Sequence, residues 1–305
     1  MKICVMGAGS IGAYFGGRLA SKNDVSFIAR GDHLRSMKED GLKVKSKVHD
    51  DFEISVNATD DPEDIGPVDL VLFTVKAYDT EEAGKQIKPL IDEDTVILSL
   101  QNGIDNEKIL AKLYGEDKII GGVAYILSRI KVPGVIHHES LGRVEIGELD
   151  GMITKRLKNI RDTFERSGVG CNISTNIQKV LWRKLAFNCA LNAMTALTES
   201  SLETIIKIDE STEVFKSTIE EAVKVGRASG VDMEEDQIIG ELMKVAAEAG
   251  PMKSSMLYDR EKGKQLEIDP LNGKIIEMGK ELGIETPVNR TLYGCLKIIN
   301  ETHNG

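Results

Sequence analysis

Six residues near the N-terminus limit this chain most: Gly7-Ala8-Gly9-Ser10-Ile11-Gly12. They follow a short apolar run, Lys2 to Met6, and precede a stretch that suits a helix; a second apolar run, Val25 to Ala29, comes next. GxGxxG in that setting is a dinucleotide fingerprint. The first glycine permits a tight turn, the second lets backbone approach a pyrophosphate, and the third lets the helix pack closely on the strand. Free N–H groups in the helix's first turn then face the phosphates with a partial positive charge. Alone, the hexapeptide could be a glycine-rich turn without a ligand. Strand, loop, helix and second strand in order argue for a nucleotide.

The end of the second strand bears on which nucleotide. A site for NAD usually places Asp or Glu there to hold the ribose 2′-hydroxyl, whereas an Arg accepts the 2′-phosphate of NADP. Here the residue is Arg30, followed by Gly31, with Arg35 and Lys38 nearby. A guanidinium grips a phosphate with paired hydrogen bonds that a carboxylate would refuse. The sequence therefore favours NADPH/NADP. If Arg30 were only a solvated surface residue, Asp32 could contact the ribose and NAD would be preferred.

The first half continues in the same style. Leu70 to Val75 and Val96 to Leu100 are continuous apolar runs, as expected of strands buried on both faces of a parallel sheet. Asp79, with Glu82 three residues on, reads as a helix start. Ile119 to Leu127, Gly134 to Glu139 and Arg143 to Glu148 read as three further strands. After about residue 176 the texture changes to helical spacing: Ile177 to Thr198, Val214 to Ala228, Ile238 to Ala249, Leu271 to Leu282 and Val288 to Asn300. The expected architecture is an α/β Rossmann dinucleotide-binding domain over residues 1–172 and an all-α domain over 173–305.

In open α/β sheets ligands sit beyond the carboxyl ends of the strands. Two buried strands here lead into Lys76 and into Gln101-Asn102-Gly103, so Lys76 and Asn102 are expected near a nicotinamide and its substrate. In the helical half, Lys184, Asn188 and Asn192 recur every four residues and lie on one stripe of a largely apolar helix. Such a stripe either faces solvent or lines a cleft between the domains. The second alternative is favoured, because buried polar groups need partners. Ser254-Ser255, by spacing alone, reads as an ordinary helix start. Spacing gives Glu267 no special role either.

Composition narrows the partners. Lys plus Arg is 39 against 49 Asp plus Glu, a net charge of −10. With no basic run, nucleic acid and anionic membrane surfaces are poor partners. No stretch approaches the ~20 apolar residues of a membrane helix. The N-terminal apolar run ends at glycines and is expected to be a strand, not a signal peptide. Cys4, Cys171, Cys189 and Cys295 are scattered without a CxxC pair. They predict reduced thiols in a cytoplasmic protein and no metal site. Apolar helical faces would suit a homodimer.

Further blocks in order carry a resemblance. They are Thr74-Val75-Lys76-Ala77-Tyr78, Gln101-Asn102-Gly103, and Trp182-Arg183-Lys184-Leu185 with Asn188 and Asn192. Then follow Ser254-Ser255-Met256-Leu257, Glu267-Ile268-Asp269 with Asn272-Gly273, and Thr286-Pro287-Val288-Asn289. With the glycine motif, the chain resembles the ketopantoate reductase (2-dehydropantoate 2-reductase) family over essentially its whole length. The glycine motif is shared with many dehydrogenases; the Lys184/Asn188/Asn192 and Ser255/Glu267 blocks are far more specific. The resemblance implies NADPH-dependent reduction of ketopantoate to pantoate, on the route to pantothenate and coenzyme A, with the active site in the cleft. It implies that Lys184 is the catalytic acid, and that Asn102 and Lys76 lie near nicotinamide and substrate. Asn188, Asn192 and Ser255 would hold substrate oxygens, and Glu267 would hold Lys184 or the substrate hydroxyl. Cofactor contacts would come from Gly7 to Gly12, Arg30, Lys76, Asn102 and Glu267. The chain departs from the pattern before Ser254-Ser255-Met256. Some members carry an Asn there, and this chain has Gly250-Pro251-Met252-Lys253. A substrate-hydroxyl contact is then either missing or replaced by Lys253, which bears on the substrate's identity and not on the reductase chemistry. A reductase of another branched 2-keto acid is the nearest alternative. A non-catalytic NADPH sensor is disfavoured by the complete Lys184, Asn102 and Glu267 set, since a sensor needs only the cofactor half.

Overall fold

Strands buried on both faces build the first of two units in the structure, a computed structural model that describes residues 1–303. The last two residues of the expected helical domain lie outside the described residues. The first unit holds Met1–Gln101 and Asp105–Ile177; the second holds Asn102–Ile104 and the chain from Gln178 on.

The first unit runs β1 (Lys2–Met6), α1 (Ser10–Leu19), β2 (Asp24–Ile28), α2 (Gly31–Asp40), β3 (Leu42–Ser46), β4 (Phe52–Ile54) and β5 (Asn57–Thr59). It continues with β6 (Leu70–Phe73), α3 (Thr80–Gln86), β7 (Val96–Ser99), α4 (Asn106–Tyr114), β8 (Ile119–Val132), β9 (Val135–Glu148), α5 (Lys155–Arg166) and β10 (Gly170–Ile173). One sheet takes all ten strands, in the order β4-β3-β9-β8-β7-β6-β1-β2-β5, with β10 also paired to β9. From β8 through β7, β6, β1 and β2 to β5 every pairing is parallel. Side chains alternate between two cores. Ile3, Val5, Leu70, Leu72 and Leu98 join Tyr14 and Phe15 of α1 and Phe164 of α5 on one face. Cys4, Met6, Val71, Phe73 and Ile97 join Ala83 of α3 and Leu110 of α4 on the other. With both faces covered, these strands have no polar face to alternate with, hence the unbroken apolar runs. Each buried Leu, Ile or Phe side chain contributes about 1.5–3 kcal/mol by leaving water.

The stretch expected as three strands folds as two. β8 and β9 are 14 residues each and form an antiparallel hairpin. What reads as a break in the sequence is a bulge inside β9: Leu141 (φ +63) and Gly142 (φ +108) adopt left-handed conformations, and the register slips on either side of Ile126-Leu127. Bulges bend a strand without ending it. The first four residues of β9, Val135 to His138, pair in parallel with β3. The Asp79 start is real, but its side chain makes no capping bond.

The second unit is helical: α6 (Ile177–Thr198), α7 (Leu202–Ile206), α8 (Asp209–Ala228), α9 (Glu235–Glu248), α10 (Ser255–Glu261), α11 (Lys274–Leu282) and α12 (Pro287–His303). Ile177, Leu181, Trp182, Leu185, Cys189, Ala190, Leu191, Ala193 and Met194 are all buried, so α6 is covered around most of its circumference. Close packing shows at Gly226 of α8, where a Cβ would stand 2.7 Å from the Trp182 ring. The expected helix over Leu271 to Leu282 begins instead with a π turn, Asp269–Gly273, in which the Gly273 N–H donates to the Ile268 carbonyl at 2.9 Å. No helix among the described residues is long and apolar enough to cross a membrane.

Candidate active site

The glycine loop lies at the carboxyl ends of β1, β2 and β6, and its three glycines meet three different surroundings. Gly7 has φ +91, and a Cβ there would come within 2.8 Å of the Val75 nitrogen. At Gly12 a Cβ would meet the Gly7 carbonyl at 2.5 Å, so α1 packs directly on the loop. At Gly9 the nearest such contact is the Gly7 carbonyl at 4.0 Å, leaving open space on that side. The loop is pinned by the Thr74 hydroxyl, which donates to the Gly7 carbonyl at 2.8 Å, and by the Ala8 N–H, which donates to the Ile28 carbonyl at 2.8 Å. Gly9 is the N-cap of α1, and no side chain among the described residues caps that helix start. A turn, an open approach and a tight helix are what a pyrophosphate requires of GxGxxG, so the residues present fit a dinucleotide.

Arg30 follows Ala29 at the end of β2 and is the N-cap residue of α2. It is exposed, and its Nη2 donates to Gln86 Oε1 at 3.0 Å. Asp32, the competing ribose contact, pairs with Arg35 at 3.2 Å. Lys76 is half-buried just past β6 and heads a short 3-10 turn, Ala77–Asp79.

A buried clamp that sequence reasoning missed joins the chain around Lys76 to the chain around Asn102. The Gln101 Nε2 donates to the Val75 carbonyl at 3.0 Å and to Thr80 Oγ1 at 2.8 Å. The Thr80 hydroxyl lies 2.9 Å from Asn106 Oδ1. Gln101, Thr80 and Asn106 are all buried. The one available signal was a polar Gln ending an apolar strand. Its partners, 21 and 26 residues away, leave no pattern in the sequence.

In the second unit the α6 stripe is not a solvated face. Asn188 and Asn192 are 9% and 3% exposed, and Lys184 is half-buried. The Asn188 Nδ2 donates to Asn102 Oδ1 at 3.4 Å, so this unit includes the 102–104 loop. Gly103 (φ +105) makes the turn there. Burial pushes the Lys184 ammonium from its ordinary 10.5 down to about 8, and the Glu267 carboxylate acts in the opposite direction. Glu267 itself is buried, in the segment between α10 and the π turn. The structure thus brings Lys184, Glu267, Asn188 and Asn102 into one neighbourhood, with Asn192 a turn further along α6.

Ser255 is exposed in the first turn of α10. Its neighbour Ser254 does the structural work: its Oγ accepts from the Leu257 N–H at 3.1 Å and lies 2.6 Å from Thr195 Oγ1 on α6. Lys253 forms an ion pair with Glu261 at 2.9 Å. The four cysteines are free thiols, and burial pushes Cys4 and Cys171 up to about 12, far from a nucleophile's range. Among the described residues no group of three or more His, Cys, Asp or Glu is placed to hold a metal ion.

Both halves of the chain match one protein family. Residues 3–151 match the family described as "Ketopantoate reductase PanE/ApbA", and residues 176–300 match its C-terminal counterpart. A 2-dehydropantoate 2-reductase of Archaeoglobus fulgidus is 32% identical over 297 residues, 97% of each chain. The crystal structure of 2-dehydropantoate 2-reductase from Geobacter metallireducens GS-15 superposes with a TM-score of 0.92 at 34% identity, covering 97% of this chain and 99% of that one. A ternary structure of D-mandelate dehydrogenase with NADH and anilino(oxo)acetate reaches a TM-score of 0.93 at 26% identity, covering 100% and 99%. With both halves matched in order and relatives aligned end to end, the chain belongs to the ketopantoate reductase PanE/ApbA family.

Proposed function

We propose that this protein reduces 2-dehydropantoate (ketopantoate) to pantoate with NADPH, on the route to pantothenate and coenzyme A, and that Lys184 is the general acid. The observation that carries the reading is Lys184 itself. It is a half-buried ammonium on α6, lowered to about 8 by burial and supported by Glu267, on the stripe that holds Asn188 and Asn192. When bound, NADPH supplies the hydride that reaches the C2 carbonyl carbon. Gly7 to Gly12 would hold the pyrophosphate at the start of α1, and Arg30 the 2′-phosphate. Lys76, Asn102 and Glu267 would contact the nicotinamide end.

Negative charge grows on the C2 oxygen as the carbonyl is reduced. The Lys184 ammonium stabilises that charge and then delivers a proton from Nζ. A proton donor near pH 8 gives its proton more readily than an ordinary lysine, yet remains mostly charged at neutral pH. Glu267 keeps the ammonium protonated within its buried setting and takes up either Lys184 or the substrate hydroxyl. Asn188, Asn192, Asn102 and Ser255 orient substrate oxygens without adding charge.

The D-mandelate dehydrogenase likeness supports a second reading, reduction of a different 2-keto acid, with NADH as the donor. NADPH and NADH oxidation, followed by absorbance with ketopantoate and with a panel of other 2-keto acids, separates the two. The proposal expects the highest kcat/KM for ketopantoate with NADPH. A higher value for an aromatic or other branched 2-keto acid, or for NADH, favours the second reading. Tight NADPH binding without turnover of any 2-keto acid contradicts both.

A further inference from the structure

Two sequence blocks remain without a role: Asn272-Gly273, and Val288-Asn289 at the start of α12. They meet inside the second unit. The Asn272 Nδ2 donates to the Cys189 carbonyl on α6 at 3.1 Å and to Asn289 Oδ1 at 2.9 Å. The Asn289 Nδ2 donates to Glu221 Oε2 at 2.8 Å and to the Thr218 carbonyl at 3.1 Å. The Glu221 carboxylate, from α8, also accepts the backbone N–H groups of Val288 at 2.8 Å and Asn289 at 2.9 Å. It thereby satisfies donors that the start of α12 would otherwise leave unpaired. Asn272 and Asn289 are fully buried and Glu221 nearly so. Every amide hydrogen of the two asparagines is used, and the chain of bonds runs from α8 through α12 and the π turn to α6.

We propose that Asn272 is a positioning residue for Lys184: backed by Asn289 and Glu221, it fixes the segment carrying Glu267 against the helix carrying Lys184 and Asn188. Asn272 lies five residues past Glu267, and the carbonyl it holds belongs to Cys189, next to Asn188. The local structure is costly in ways that packing alone does not require. The Asn272 Oδ1 is buried without a hydrogen-bond partner among the described residues. Such an orphaned oxygen has given up its hydration without a replacement partner. The π turn inserts a residue, a feature frequent at functional sites. Its ends are pinned separately: the Tyr293 hydroxyl donates to Asp269 Oδ1 at 2.6 Å, and Gly273 packs against the Tyr293 ring, 3.1 Å from where its Cβ would be. The effect on Lys184 is electrostatic. Burial lowers its proton affinity and Glu267 raises it. Beside it, Arg183 is engaged with Glu241 of α9 at 3.3 Å.

The catalytic meaning of this device rests on the reading of Lys184 as general acid, so the test uses one readout that needs no turnover. Lysine ammonium signals in the full-length protein are followed by nitrogen-15 NMR against pH, with Lys184 assigned through Lys184→Arg. Asn272→Ser is expected to move the Lys184 titration about one unit below its wild-type midpoint, because Glu267 is no longer held in place. In a Glu267→Gln background the same substitution should add no further shift. The falling limb of kcat should move with it. If Asn272→Ser unfolds, Glu221→Gln serves instead. It is equal in size and loses one carboxylate acceptor for the α12 N–H groups, so a smaller shift in the same direction is expected. An unchanged Lys184 titration in the folded variant, or a full additional shift without Glu267, overturns the proposal. A shifted titration in a protein that turns over no 2-keto acid leaves the positioning role standing and rejects the reductase reading.

Discussion

Burial lowers the proton affinity of the Lys184 ammonium, and the Glu267 carboxylate restores part of it. If the protonated form does the chemistry, kcat is highest below the Lys184 midpoint and falls as pH rises through about 8. Glu267→Gln removes the restoring charge, so that fall should begin at lower pH; a pH profile of kcat for both proteins checks it. Arg30 makes a prediction about cofactor choice. Losing a charge-assisted grip on a 2′-phosphate costs about 1.5–3 kcal/mol, so Arg30→Ala should weaken NADPH by roughly 10- to 100-fold and leave NADH nearly unchanged. Titration of each nucleotide against intrinsic fluorescence reads both affinities. Glu107 lies outside any proposed chemistry. It is buried in the first turn of α4, and burial pushes its carboxyl from 4.5 up to about 7. Between those values the folded protein binds its proton more tightly than the unfolded chain does, so stability falls as pH rises through that window. Glu107→Gln should therefore raise Tm by a few degrees at pH 8 and change it little at pH 4.5, measured by calorimetry.

Among elements, the glycine loop separates binding from folding. A methyl group at Gly9 meets open space, whereas one at Gly12 meets the Gly7 carbonyl at 2.5 Å. Gly9→Ala should keep the wild-type Tm while weakening NADPH, and Gly12→Ala should lower Tm as well. Thermal melts beside binding titrations distinguish them. The same elements show why some of this molecule can be read from sequence. β6, β7 and the full span of α6 are legible because burial on all sides leaves long apolar runs. β3, β4, β5 and β10 are three to five residues long and mix polar with apolar positions, so they carry no pattern of their own. The hairpin of β8 and β9 misleads because a bulge at Leu141-Gly142 looks like a turn. At the site, Lys184, Asn188 and Asn192 announce themselves by helical spacing, and Gly7 to Gly12 by motif. The Gln101 clamp and the Asn272 network do not, since each bond joins residues far apart in sequence whose partners only the fold brings together.

At the scale of the whole chain, the two halves contribute unlike things: a sheet whose strand ends fit a nucleotide, and a helical unit whose half-buried lysine fits proton transfer. A short loop after β7, Asn102–Ile104, belongs with the helical unit although the chain on either side of it belongs with the sheet. The resemblance seen in ordered sequence blocks holds at this scale, since relatives align over 97% of the chain and fold with it at a TM-score of 0.92. Ligand linkage gives a prediction for the intact protein. NADPH at a hundred times its Kd should stabilise the folded state by about 2.7 kcal/mol, seen as a concentration-dependent rise in Tm. The central claim, a 2-keto acid reductase that works through Lys184, is tested most directly by one comparison. NADPH oxidation with ketopantoate is measured for the wild type and for Lys184→Ala, with NADPH affinity determined for both. The account predicts that kcat falls by about 10²- to 10⁴-fold while NADPH affinity is nearly unchanged. A variant that keeps its kcat and instead loses NADPH binding would contradict it.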